Sequence, residues 1–132
     1  MRKLDHIGIA VEHLDEAMER FSKILEVEFS EPEVLSEQGV KLSMADVGGA
    51  RIELLEPLEP GSPIGRFIEK KGEGLHHLAF KANDLVETLS RLDADGIQLI
   101  DPEPRSGAHG AKIAFLHPRS TAKVLVELVE ED

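Results

Sequence analysis

Leu4-Asp5-His6-Ile7-Gly8-Ile9 recurs 71 residues later as Leu75-His76-His77-Leu78-Ala79-Phe80, and this recurrence decides the fold. A shared register between distant segments is the mark of an internal repeat, which constrains the architecture before any single element is assigned. The register continues through Leu14/Leu85, Met18/Leu89 and Phe21/Leu92, so each copy opens with a strand followed by a helix. Farther on, Ile52-Glu53-Leu54-Leu55-Glu56 matches Val126-Glu127-Leu128-Val129-Glu130 at an offset of 74. Each copy therefore also closes on a glutamate-bearing strand.

Leu14, Ala17, Met18, Phe21, Ile24 and Leu25 fall on one stripe of a helix over 14–25, the spacing that lets an amphipathic helix cover a sheet. The second helix is expected from about Asp84 to Asp95. Asp84 can cap it, Glu87 stands at the capping-box position, Leu85, Leu89 and Leu92 make the stripe, and Gly96 can stop it. Ser62-Pro63 supplies an N-cap with proline at the first helical position, which predicts a connector helix over about 62–72 ending at Gly72. Apolar and β-branched runs predict strands at roughly 26–30, 40–47 and 51–56 in the first copy. Their counterparts are expected at 97–100, 111–117 and 123–129. Each copy then reads βαβββ. The expected class is α+β: one domain of 132 residues, with tandem modules at about 1–60 and 73–132 whose sheets form a metal-binding cleft.

Strand alternation assigns the faces. Ile7, Ile9 and Val11 point toward the helix, while His6, Gly8 and Ala10 point to the opposite face. His77, Ala79 and Lys81 repeat that choice, and a residue as small as Gly8 or Ala79 two places on leaves space beside each imidazole. By the same parity His77, not its neighbour His76, is the counterpart of His6.

Composition narrows the chemistry. The chain has no cysteine, which removes disulfides, thiolate metal sites and cysteine nucleophiles and is compatible with a reducing compartment. A net charge of −11, from 26 acidic and 15 basic side chains, argues against nucleic acid as a partner, since that needs a concentrated basic surface. No apolar stretch has the length of a signal peptide or a membrane span, so a soluble cytoplasmic protein is expected. What remains for a metal is His, Asp and Glu. His6, Glu53, His77 and Glu127 occupy matching places in the two copies, and together they make a His₂Glu₂ set. Imidazole nitrogen with carboxylate oxygen suits cobalt, manganese, zinc, iron or nickel better than calcium, and four ligands leave coordination positions open for water or substrate.

With these features the chain resembles the vicinal-oxygen-chelate superfamily, which pairs βαβββ modules around a divalent metal and includes glyoxalase I, extradiol dioxygenases and antibiotic-binding resistance proteins. Within it, the sequence is most similar to the methylmalonyl-CoA epimerase family. The likeness covers nearly the whole length. It rests on Leu4-Asp5-His6-Ile7, Glu37-Gln38-Gly39-Val40, Glu53-Leu54-Leu55-Glu56-Pro57-Leu58, Ser62-Pro63-Ile64 and Gly74-Leu75-His76-His77. In the second copy it rests on Gly107-Ala108-His109-Gly110, Phe115-Leu116-His117-Pro118 and Val124-Leu125-Val126-Glu127.

The resemblance implies that His6, Glu53, His77 and Glu127 ligate the metal, most often cobalt, with manganese, nickel or zinc as alternatives. It implies a reversible inversion at C2 of an acyl-CoA thioester through loss and return of a proton, with Glu127 as one acid–base group, and it implies a homodimer. Some epimerases carry a glutamate just after the Gln-Gly-Val segment, where this chain has Leu42, which cannot move a proton. Lys41, Ser43, Glu37, His109 or a water are the alternatives for that second role. Because coenzyme A is polyanionic, Lys112, Arg119 and Lys123 are candidate contacts to it; His109 is a candidate substrate contact within a Gly-flanked turn, and His117-Pro118 is expected to form a strand-end turn. Two rival readings are a glyoxalase I-like lyase acting on a glutathione hemithioacetal and a non-catalytic resistance protein. An extradiol dioxygenase would be much longer, and a drug-binding cleft would be lined with aromatics, of which the chain has only five phenylalanines.

Overall fold

The computed structural model describes residues 3–131, so Met1, Arg2 and Asp132, which the expected module bounds take in, lie outside the described residues. The described residues divide into two compact units, 6–76 and 3–5 with 77–131.

The first unit carries β1 (Leu4–Ala10) from His6 on, α1 (Leu14–Leu25), β2 (Glu33–Leu35), β3 (Val40–Val47), β4 (Ala50–Pro57) and α2 (Pro63–Lys71). Its strands run in the order β2-β3-β4-β1, with β1 parallel to β4 and the other pairings antiparallel. One face of this sheet packs on α1 through Val11, Leu14 and Leu54, joined by Ile9, Ala17, Met18, Phe21, Phe29 and Ile52. The alternation expected of β1 therefore holds at Ile9. The helix stripe is shorter than its sequence pattern, however: Ile24 is 73% exposed and Leu25 sits at the margin, in the last turn before Glu26 takes the left-handed conformation at φ 56°.

The second unit carries β5 (Gly74–Lys81) from His77 on, α3 (Leu85–Ala94), β6 (Arg105–Ser106), β7 (Lys112–Leu116) and β8 (Val126–Glu130). Its strand order is β5-β8-β7-β6, with β5 parallel to β8. Ala82, Leu85, Leu89, Ala114, Leu116 and Leu128 form the core beneath α3. A smaller cluster of Ala79, Ala111, Ile113 and Val129 occupies the other face. Each unit thus has the expected βαβββ order and the fold is α+β. Among the described residues no helix is long and apolar enough to cross a membrane.

The capping expectations hold. Ser62 Oγ accepts from Gly65 N–H at 3.2 Å, Gly72 N–H donates to Ile68 O, and Asp84 accepts from Glu87 N–H at 3.1 Å. The third element of each copy differs from expectation. The segments 26–30 and 97–100 have strand-like composition, yet each touches the neighbouring strand at isolated points only. Ser30 N–H donates to Met44 O, and Leu99 makes a single bridge to Leu116. Each follows a left-handed residue, Glu26 or Gly96, and runs into a proline, Pro32 or Pro102, so neither can sustain a ladder. The paired strands are instead the short β2 and β6. The last strand likewise begins at Val126 rather than 123, because Ala122 and Lys123 adopt φ 55° and 67° and hold the chain in a turn.

Candidate functional site

Within the first unit, β1 and β4 bring His6 and Glu53 together: Nε2 lies 3.4 Å from Oε1, and both residues are buried. Within the second, β5 and β8 do the same for His77 and Glu127 at 2.9 Å, again buried. The registers explain why. Gly8 is the partner of Glu53, and Ala79 is the partner of Glu127. In a parallel pair, register partners share a face, so the glutamate and the histidine two residues from its partner rise side by side, and a hydrogen or a methyl is all that stands beneath them. The small residues expected beside the imidazoles are therefore the positions over which the carboxylates sit.

His76 goes elsewhere, its ring meeting Phe67 of α2 edge to face at 4.8 Å. His77 is held on the other parity, with Phe115 against it edge to face at 5.8 Å and Arg105 above the Phe115 ring at 5.5 Å.

Buried carboxylates beside buried imidazoles are costly unless charge is compensated, and a divalent cation is an efficient compensator. His6, His77 and Glu127 are buried groups that could each offer an atom to a metal ion. The donor chemistry, nitrogen with carboxylate oxygen, fits borderline divalent ions.

A second pair of glutamates, Glu56 and Glu130, recurs with the repeat and serves the helices rather than the histidines. Glu56 Oε1 accepts from Leu14 N–H at 2.8 Å, and Glu130 Oε1 accepts from Leu85 N–H at 2.6 Å. Three residues beyond each site glutamate, the strand has turned to its other face, and the carboxylate there satisfies the first amide of the helix it supports, where the helix dipole favours negative charge. The signal was the recurrence of Glu-x-x-Glu at the end of both copies.

The remaining candidates are spread along the second unit. His109 is exposed and left-handed, φ 56°, in the tight turn Ala108–Gly110. Lys112, Arg119 and Lys123 are exposed. Lys112 pairs with Glu130 and so has the parity of the helix-facing residues. His117 closes the strand-end turn as expected, its Nδ1 accepting from Arg119 N–H at 3.0 Å. In the first unit, Lys41 and Ser43 pair with Glu56 and Leu54 on the helix face, and the Ser43 hydroxyl donates to Ser30 O at 2.6 Å. Neither shares the Glu53 face.

Comparison with known proteins gives a consistent relation. Residues 5–115 match the family model of the glyoxalase/bleomycin resistance protein/dioxygenase superfamily. An uncharacterized Bacillus subtilis protein is 48% identical over 98% of this chain and 93% of its own length. The mitochondrial methylmalonyl-CoA epimerase of Dictyostelium discoideum is 38% identical over 98% of this chain and 78% of its own. A structure of a leucine-for-glutamate variant of Streptomyces coelicolor methylmalonyl-CoA epimerase, in complex with 2-nitronate-propionyl-CoA, superposes with a TM-score of 0.93 at 38% identity, covering 98% of this chain and 94% of that one.

Proposed function

The chain belongs to the glyoxalase/bleomycin resistance protein/dioxygenase superfamily, and from that premise we propose that it is a metal-dependent methylmalonyl-CoA epimerase. The observation that carries the reading is the duplicated His–Glu pair, His6 with Glu53 and His77 with Glu127, each built over a small register partner. The relatives named for this reaction support the substrate.

In this reading all four residues hold one divalent ion, cobalt by preference, with manganese, nickel or zinc as substitutes. When bound, the ion would supply Lewis-acid chemistry that stabilises the negative charge developing as the C2 proton leaves. Glu127 takes or returns that proton on one face of C2. Ala79 and Gly8 keep the ligand rows open, and Phe115 holds the His77 ring in its orientation. Lys112, Arg119 and Lys123 are the contacts for the phosphates of coenzyme A, local cations on an otherwise acidic chain, and His109 is a further substrate contact. A homodimer in the cytoplasm belongs to the same proposal.

The test is incubation of cobalt-loaded protein with single-epimer methylmalonyl-CoA in parallel with the glutathione hemithioacetal. Racemisation of the first with no turnover of the second is the expected result. Turnover of the hemithioacetal alone would assign the chain to glyoxalase chemistry, and turnover of neither, with metal bound, would leave the binding-protein reading in its place.

A further inference from the structure

Inversion at C2 needs a second proton-transfer group on the face opposite Glu127, and the position where some epimerases carry a glutamate holds Leu42. That leucine is 1% exposed on β3 and has two register partners, Leu55 on β4 and Glu33 on β2. Leu55 lies two residues beyond Glu53, so Glu53, Leu55, Leu42, Met44 and Glu33 all belong to one face of the sheet. Glu33 thus stands directly beside the site that lacks the carboxylate, one strand farther out.

Strand β2 is patterned against its own folding. Glu33 and Leu35 are half-buried while Val34 between them is 54% exposed, and the Oε1 atom of Glu33 is buried. An inward carboxylate flanking an outward valine reverses the pattern of a strand selected only for packing. The repeat sharpens the point. Arg105 is the register partner of Ile113, which pairs with Val129, just as Glu33 partners Leu42, which pairs with Leu55. Equivalent outer positions therefore bear a carboxylate in one unit and a guanidinium in the other, and of the two only a carboxylate can accept a proton.

We propose that Glu33 is the second acid–base group, acting on the face of C2 opposite Glu127. The inference rests on the epimerase reading. Sheet geometry puts β2 about 10 Å from β4 across two strand spacings, enough room for a small acyl group over Leu42 and Met44. In one direction the Glu127 carboxylate takes the C2 proton and the C–H electron pair becomes the enolate. Protonated Glu33 then gives its proton to the other face of C2, and the enolate electrons form the new C–H bond. Glu127 ends protonated and Glu33 ionised, and exchange with solvent restores both. The reverse reaction exchanges the roles.

The test is Glu33→Gln with cobalt loaded, read by epimerisation and by deuterium uptake at C2 from each pure epimer in heavy water, with Glu37→Gln as the comparison. Epimerisation should fall by roughly 10²–10⁴-fold, the range for a positioned acid–base group, with metal content and thermal midpoint unchanged. One epimer should still exchange its C2 proton without inverting, because Glu127 remains, and the other should not. Glu37→Gln should behave as wild type. Near-normal epimerisation by Glu33→Gln would overturn the proposal and leave Glu33 as an inward charge guarding a sheet edge. Equal loss of exchange from both epimers would overturn it as well. A wild-type protein that neither exchanges nor inverts would instead remove the epimerase reading on which it stands.

Discussion

Ala79 is the register partner of Glu127 across the parallel pair β5 and β8, and its methyl lies beneath the 2.9 Å contact between Glu127 and His77. The equivalent place in the first unit is Gly8 opposite Glu53. Ala79→Leu should push the two side chains apart. The expected effect is a fall in metal affinity of roughly 10–100-fold, the range for disturbing the support of a metal site, together with an overpacking cost of about 1–3 kcal/mol. Calorimetric titration with cobalt and thermal unfolding read the two separately, and unchanged affinity in a folded Ala79→Leu protein would contradict this role for the position.

The two histidines at 76 and 77 should separate cleanly. His77→Ala removes a proposed ligand and should abolish metal uptake at equimolar cobalt. His76→Ala removes only an edge-to-face contact with Phe67, worth about 0.5–1.5 kcal/mol, and should leave uptake intact. Equal loss of metal from both variants would show that the strand register does not decide which imidazole binds.

Glu127 and Glu130 lie on the same strand with opposite parity, and their variants should fail in different ways. Glu130→Ala leaves the Leu85 amide without its 2.6 Å acceptor and should cost about 1 kcal/mol of stability with metal content unchanged. Glu56→Ala should do the same at Leu14. Glu127→Gln should keep thermal stability near wild type while weakening the metal and, at saturating cobalt, cutting epimerisation by roughly 10²–10⁴-fold. Denaturation midpoints and cobalt-saturated rates distinguish the pattern, and loss of metal from Glu130→Ala would break it.

How far these assignments were legible follows from the length of each signal. The repeat exposed β1, β5 and the paired glutamates because matching side chains recur at offsets of 71 and 74, and helix caps were legible because Ser62-Pro63 and Asp84 act through local hydrogen bonds. The outer strands were not. Glu33-Val34-Leu35 and Arg105-Ser106 are too short to display a period, and their pairing is set by β3 and β7, which are far away in sequence. Glu33 carries no sequence signal for that reason, since its pairing with Leu42 follows only from the strand register. The capping glutamates are hidden for another, because the alternation that assigns Glu53 and Glu127 to one face also sends Glu56 and Glu130 to the other.

If coenzyme A is held by the cations of the second unit, Lys123→Ala and Arg119→Ala should each raise KM roughly tenfold, the scale of one charge-assisted hydrogen bond, with kcat little changed. The effect should shrink as salt rises, because exposed ion pairs are screened. Steady-state kinetics across ionic strength measure it, and a matching fall in kcat would place these residues nearer the reacting carbon.

The most direct test of the central claim, that both His–Glu pairs serve one ion, is a cobalt titration of the metal-free wild type beside His6→Ala and His77→Ala, followed by visible absorption and elemental analysis. The account predicts one ion per chain in the wild type and loss of that same ion in either variant. Two ions per chain, with one surviving each substitution, would contradict it by showing that each His–Glu pair binds alone.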